Sequence, residues 1–197
     1  MPYSFETIAC VTLEPQSILE HPTTPREIVK LDSPAAAVMT SFKVVHPITT
    51  RPEVAIDVAL KKMKTTGIRL LFVVNDADQI IGLVTAKDIM GERPILITQQ
   101  MQVPRADITV AAVMTPQPDI CAFDAQAVRD ARVGDIIETL RKQQRQHALV
   151  VKTDKATQSQ CVIGMFSTSQ IDKLLGNNVT PEVHPARSLA ALVEQIA

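Results

Sequence analysis

The chain has 197 residues, 46% of them hydrophobic, which is enough to bury a core in one domain of ordinary size or two small ones. Its 20 basic and 21 acidic residues are mixed along the sequence and leave a formal net charge of −1, so no electrostatic footprint for nucleic acid or an anionic membrane is present. No Trp, one Tyr and five Phe also leave few platforms on which single-stranded nucleic acid would stack.

Residues 1–33 carry Pro2, Pro15, Pro22 and Pro25 and read as an extended arm. The arm has neither the basic start nor the continuous apolar segment of a signal peptide, and no apolar run in the chain is long enough to span a bilayer. Cys10, Cys121 and Cys161 are odd in number and far apart, which fits neither a disulfide framework nor a clustered metal site. The four histidines, His21, His46, His147 and His184, fall in four different segments without ligand spacing, so no metal site is expected. Together these features predict a soluble, cytoplasmic protein with no membrane insertion.

From Ala36 onward the sequence contains one unit twice. "AAVMT" stands at Ala36 to Thr40 and again at Ala111 to Thr115. "LLFVV" (Leu70 to Val74) is answered by "HALVV" (His147 to Val151), and "IIGLVTAKDI" by "VIGMFSTSQI". The copies differ most where "NDADQ" is replaced by the longer "TDKATQSQ", and growth in a loop is what a duplication tolerates. In copy one a short extended piece, "KVVHPI", precedes a helix. Thr50 is its expected cap with Glu53 as reciprocal partner, Pro52 sits in the first turn, and Ile56, Leu60 and Met63 share one face. Gly67 ends it. Two β-branched runs joined by "NDADQ" then predict a hairpin, and a last helix runs from about Ala86 to Gly91.

In copy two "PDICAF" is the extended piece, "VGDIIETLRKQQ" the helix with Val133, Ile137 and Leu140 on one face, and the last helix stops near Gly176. The linker "ERPILITQQMQVPRADIT" predicts one short helix between Pro94 and Pro104. In the tail, Leu189, Leu192, Val193 and Ile196 recur at helical spacing behind Ser188, which predicts an amphipathic helix. The expected division is an arm at 1–33, a first domain at 34–93, a linker helix at 94–108, a second domain at 109–177 and the tail helix at 178–197.

Two copies of "VMT", strand, helix, "VVND" and "IGLVTAKDI" resemble a tandem pair of cystathionine-β-synthase (CBS) domains, a Bateman module, over roughly Ser33 to Gly176. The resemblance implies an α+β fold of two units, each a small three-stranded sheet with helices on one face, packed about a pseudo-twofold axis. It also implies a homodimer, clefts between the copies that bind adenosine-containing ligands, and a regulatory rather than enzymatic role exercised through an effector protein. The ligand implied is AMP, ADP or ATP, or else S-adenosylmethionine or NAD.

"GLVTAKDIM" carries the sharpest question. Thr85-x-x-Asp88 is a loose capping box, since Asp is shorter than the usual Glu or Gln, whereas Ser167-x-x-Gln170 matches the box well. The same geometry suits a ligand, because a helix start offers amides to phosphate and a carboxylate one turn in can accept ribose hydroxyls. By the family resemblance Thr85 is the phosphate contact, Asp88 the ribose contact, and Lys87 lies between them. In copy two Gln170 replaces the carboxylate, so Ser167 and Gln170 are expected to cap, with at best a weak second site.

The resemblance places the adenine against Val45, His46, Pro47, Leu71 and Phe72. Many CBS domains carry Pro where Phe72 and Leu149 stand. Arg69, Arg145 and His147 are candidate phosphate partners. A ligand-independent dimerisation or adaptor platform is the alternative that Gln170 leaves open. No Walker-type glycine loop or nucleophile arrangement accompanies the pattern, which argues against an enzyme.

Overall fold

A computed structural model of the chain describes residues 28–157 and 159–176. The arm through residue 27, with Cys10 and His21, and the tail expected at 178–197, with His184, lie outside them.

The described chain opens with a 3-10 turn at Ala35–Val38 and strand β1 (Thr40–Ser41). Copy one continues with β2 (Thr49–Thr50), helix α1 (Ile56–Thr66), β3 (Leu70–Val74), β4 (Ile80–Thr85) and α2 (Ala86–Met90). Helix α3 (Glu92–Met101) links it to α4 (Val110–Val113) and β5 (Thr115–Pro116). Copy two comprises β6 (Ala122–Asp124), α5 (Ala125–Asp130), α6 (Val133–Lys142), β7 (His147–Thr153), β8 (Gln160–Ser167) and α7 (Thr168–Leu175).

The elements form two four-stranded sheets, ordered β2-β3-β4-β5 and β1-β8-β7-β6. Three strands of each come from one copy, as expected. The fourth is an exchange, since β5 of the second copy pairs antiparallel with β4, and β1 of the first copy pairs antiparallel with β8. The helical turns before these strands cross with them. Val110 and Val113 are buried with Ile56, Met63, Leu71 and Ile89, and Ala35 and Val38 are buried with Val133, Leu140, Phe166 and Ile171. The glycine of each "IG" pair makes the crossing possible. A Cβ on Gly82 would lie 2.7 Å from the Met114 sulfur and 2.9 Å from the Thr115 carbonyl oxygen, and one on Gly164 would lie 2.7 Å from the Thr40 oxygen.

The hairpin strands are apolar without alternation because both of their faces are covered. Leu71 and Val73 point to the helices, while Phe72 packs with Leu83 and Leu149, and with the partly buried Phe42 and Met165, where the two sheets meet. Phe42 and Phe72 stand edge to face at 5.5 Å. In the hairpin turn the Asn75 side-chain oxygen accepts from the amides of Ala77 and Gln79, the local bonding that makes Asn a turn residue.

Helix α1 ends as the sequence predicts, on Gly67 in the left-handed region (φ 68°), but its start is different. Thr50 is buried in β2 and caps nothing, and the helix begins at Ile56. The reason is tertiary. The Ile56 amide donates to the Ile108 carbonyl at 3.0 Å, and Val54 and Pro52 accept from the amides of Val110 and Ala111, so residues 52–54 are held as a turn and bend against the crossing segment instead of joining the helix. In copy two Val133, Ile136 and Leu140 are buried and Ile137 is partly so, a face one position off the expected one. Helix α3 starts two residues before Pro94, which places the proline in the first turn, where its missing amide hydrogen costs nothing. Among the described residues no helix is long and apolar enough to cross a membrane.

Candidate functional site

Two clefts open where the copies meet. The larger, about 650 Å³, is lined by the apolar Phe42, Val45, Pro47, Ile48, Phe72 and Met165 and by the polar Arg69, Lys87, His147, Ser167 and Gln170. The smaller, about 370 Å³, is lined by Asp88, Arg93, Asp119, Ile120, Cys121 and Arg145. Thr85, Lys87 and His147 line both.

The sequence-based site is thereby divided. Val45, His46, Pro47, Phe72 and Arg69 share the larger cleft with Ser167 and Gln170 of the other copy, whereas Asp88 and Arg145 line only the smaller one. Each cleft therefore pairs the first strand region of one copy with the Ser/Thr-x-x-Gln/Asp helix start of the other. Leu71 lines neither. Successive side chains of a strand point to opposite faces, so Phe72 reaches the cleft and Leu71 is fully buried under the helices.

At the start of α2 the full capping box forms. The Asp88 amide donates to Thr85 Oγ1 at 3.2 Å, and Asp88 Oδ2 accepts from the Thr85 amide at 2.9 Å and the Thr85 hydroxyl at 2.7 Å. This reverses the expectation that Asp fits the box only loosely. The Thr85 hydroxyl is already donated to Asp88, which leaves Lys87 as the cation beside it. Asp88 Oδ1 faces Arg93 at 4.0 Å, and Arg93 also donates to the Val113 carbonyl at 2.7 Å.

In copy two the well-matched box does not form. Ser167 makes no side-chain cap, and its hydroxyl pairs with that of Ser169 at 2.9 Å. Ser167 and Gln170 are thus available at the wall of the larger cleft.

His147 sits between the clefts. Burial of the ring pulls its pKa down to about 4 against the Asp88 carboxylate, which favours the cation, and Arg69 lowers it further. The imidazole is neutral at physiological pH, so it offers a hydrogen bond and no charge. Burial raises the Cys121 thiol pKa, with the Arg145 guanidinium pulling the other way.

Arg93, Phe42, Met165 and Cys121 line the clefts without having been singled out as ligand contacts. Only Arg93 carried a signal, a cation five residues beyond Asp88. The others depend on how the sheets meet.

Residues 35–94 match the family model of the CBS domain. That segment is a CBS domain. Among solved structures, an uncharacterized conserved protein from Pyrococcus horikoshii is similar at 18% identity, with 74% of this chain and 93% of that one covered and a TM-score of 0.51. Protein MJ1225 from Methanocaldococcus jannaschii is similar at 19% identity over 71% of this chain and 49% of that one, with a TM-score of 0.50. The CBS domain of the bacterial CNNM/CorC family Mg2+ transporter is similar at 17% identity over 75% of this chain and 78% of that one, with a TM-score of 0.50. These likenesses extend across both copies, and the chain is a tandem CBS module in fold. No curated protein matches the sequence.

Proposed function

We propose that this CBS module is a regulatory or sensor protein that binds an adenosine-containing ligand between its copies and passes occupancy to an effector protein. The observation that carries the reading is the larger cleft. Its volume of about 650 Å³ lies in the range of small-molecule sites, and its lining combines apolar side chains with the cations of Arg69 and Lys87. A purine fits between Val45, Pro47 and Phe72, and Gln170 and Ser167 suit ribose hydroxyls. Arg69 and Lys87 suit phosphate, which guanidinium and ammonium groups bind by fork and by point charge respectively.

Transmission follows from the exchange of β1 and β5. A ligand touching both copies changes the free energy of their relative packing, and it shifts that equilibrium only by its differential affinity for the two arrangements. Exposed Val58 on α1 and Leu96 and Met101 on α3 are apolar surface that a homodimer would cover. With adenine nucleotides as ligands, the cytoplasm is its proposed place.

The test is thermal unfolding with AMP, ADP, ATP, S-adenosylmethionine and NAD. A ligand at a hundred times its Kd stabilises by about 2.7 kcal/mol. Arg69→Ala combined with Gln170→Ala is expected to abolish that shift, and Asp88→Ala to retain it when each variant is compared with its own ligand-free form. A flat response to all five ligands would favour the ligand-independent platform. The commitment of the Asp88 carboxylate to its own helix start is the observation on that side.

A further inference from the structure

The two clefts share a wall made of Leu70, Thr85, Lys87, Gln146 and His147. Lys87 is the one cation among these five. It is exposed, and no hydrogen bond or ion pair holds its ammonium group among the described residues. The Thr85 hydroxyl is committed to Asp88. Each cleft also has arginines of its own, Arg69 in the larger and Arg93 and Arg145 in the smaller.

We infer that Lys87 is a shared cation for which anionic ligands in the two clefts compete, so that a phosphate-bearing ligand in one cleft weakens the binding of a second in the other, while uncharged nucleosides do not interfere. The inference rests on the proposed function and adds regulation to it. The lysine stem is flexible and its head is a point charge with three rotatable donors, so it can serve either cleft. It cannot serve both at once. A phosphate that recruits it leaves the other cleft one positive charge short, and a charge contact at this wall is worth more than in bulk water. The penalty is reciprocal, because linkage makes each ligand weaken the other by the same factor.

The experiment titrates the full chain with AMP and with adenosine by native mass spectrometry. It uses the native protein, Ser169→Trp to fill the larger cleft and Asp119→Trp to fill the smaller, both at exposed positions. For independent clefts the product of the two single-cleft association constants equals the product of the two stepwise constants of the native chain. For AMP we expect the single-cleft product to exceed the native product by about five- to 100-fold. For adenosine the products should agree, and adding Lys87→Met should remove most of the AMP excess. Equal AMP products, or an excess that Lys87→Met leaves intact, would overturn the shared cation while leaving ligand binding in place. Failure of AMP and adenosine alike to bind the native chain would overturn it together with the function on which it rests.

Discussion

Replacing Asp88 by Ala separates the two jobs its carboxylate has been given. The substitution deletes the bonds from the Thr85 amide and the Thr85 hydroxyl, at 2.9 and 2.7 Å, and leaves that amide without its acceptor at a part-buried helix start. Losing a cap costs about 0.5–2 kcal/mol, and leaving a buried donor unsatisfied costs about 1–3 kcal/mol. The site is only partly buried, so the expected loss is about 1–2 kcal/mol. Each kcal/mol moves the midpoint of a chain this size by about 2–4 °C, which predicts a fall of roughly 2–8 °C. Asp88→Asn keeps one acceptor oxygen and should lose about half as much. Gln170→Ala removes a side chain that makes no cap and should stay within about 0.5 kcal/mol of the native chain. Thermal and urea unfolding with and without AMP read all three. If Asp88→Ala melts like the native chain yet no longer responds to AMP, the carboxylate serves a ligand and the capping argument is refuted.

Gly82→Ala and Gly164→Ala should each cost about 1–3 kcal/mol by forcing the crossing strands away, read as a lower urea midpoint and faster amide exchange in β5 or β1. Phe166→Ala, at a fully buried position in the second core, should cost about 3–5 kcal/mol by the same urea measurement. His147 has a folded-state pKa of about 4 against an ordinary 6.5, so between these values the unfolded chain binds more protons than the folded one. Stability should therefore fall as pH drops from 6.5 toward 4, by at most about 3 kcal/mol and by less to the extent that the ring is exposed. His147→Gln should flatten that slope, and an unchanged slope would place the titration elsewhere.

What was legible in the sequence was set by short-range physics. The hairpins follow from paired apolar runs around turn residues, and the end of α1 follows from a glycine at φ 68°. The start of α1 was not legible, because the group that decides it is the carbonyl of Ile108, which arrives from the far end of the linker. The capping box forms at Thr85 and Asp88 and not at Ser167 and Gln170 for a local reason. With Thr85 at φ −110° and ψ 160°, an Asp three residues on reaches back to its amide. Ser167 sits at φ −136° and ψ 130°, and its hydroxyl turns to Ser169. Side-chain length alone ranks the two sequences the other way.

The division of the candidate site has the same origin as the fourth strand of each sheet. A repeat read along the chain invites the assumption that each copy completes its own core and its own cleft. Here Met114 lies over Gly82 and Met39 over Gly164, so the methionine of "VMT" and the glycine of "IG" recur together because each copy supplies the partner for the other. The same exchange brings the helix start of one copy together with the strand wall of the other, which is why Val45 and Gln170 line the larger cleft and Asp88 lines the smaller one with Ile120. A ligand in either cleft therefore bears on the contact between the copies as much as on any side chain. Removing β5 from its edge should loosen the smaller cleft, which Thr115 helps to line, as directly as it loosens the sheet.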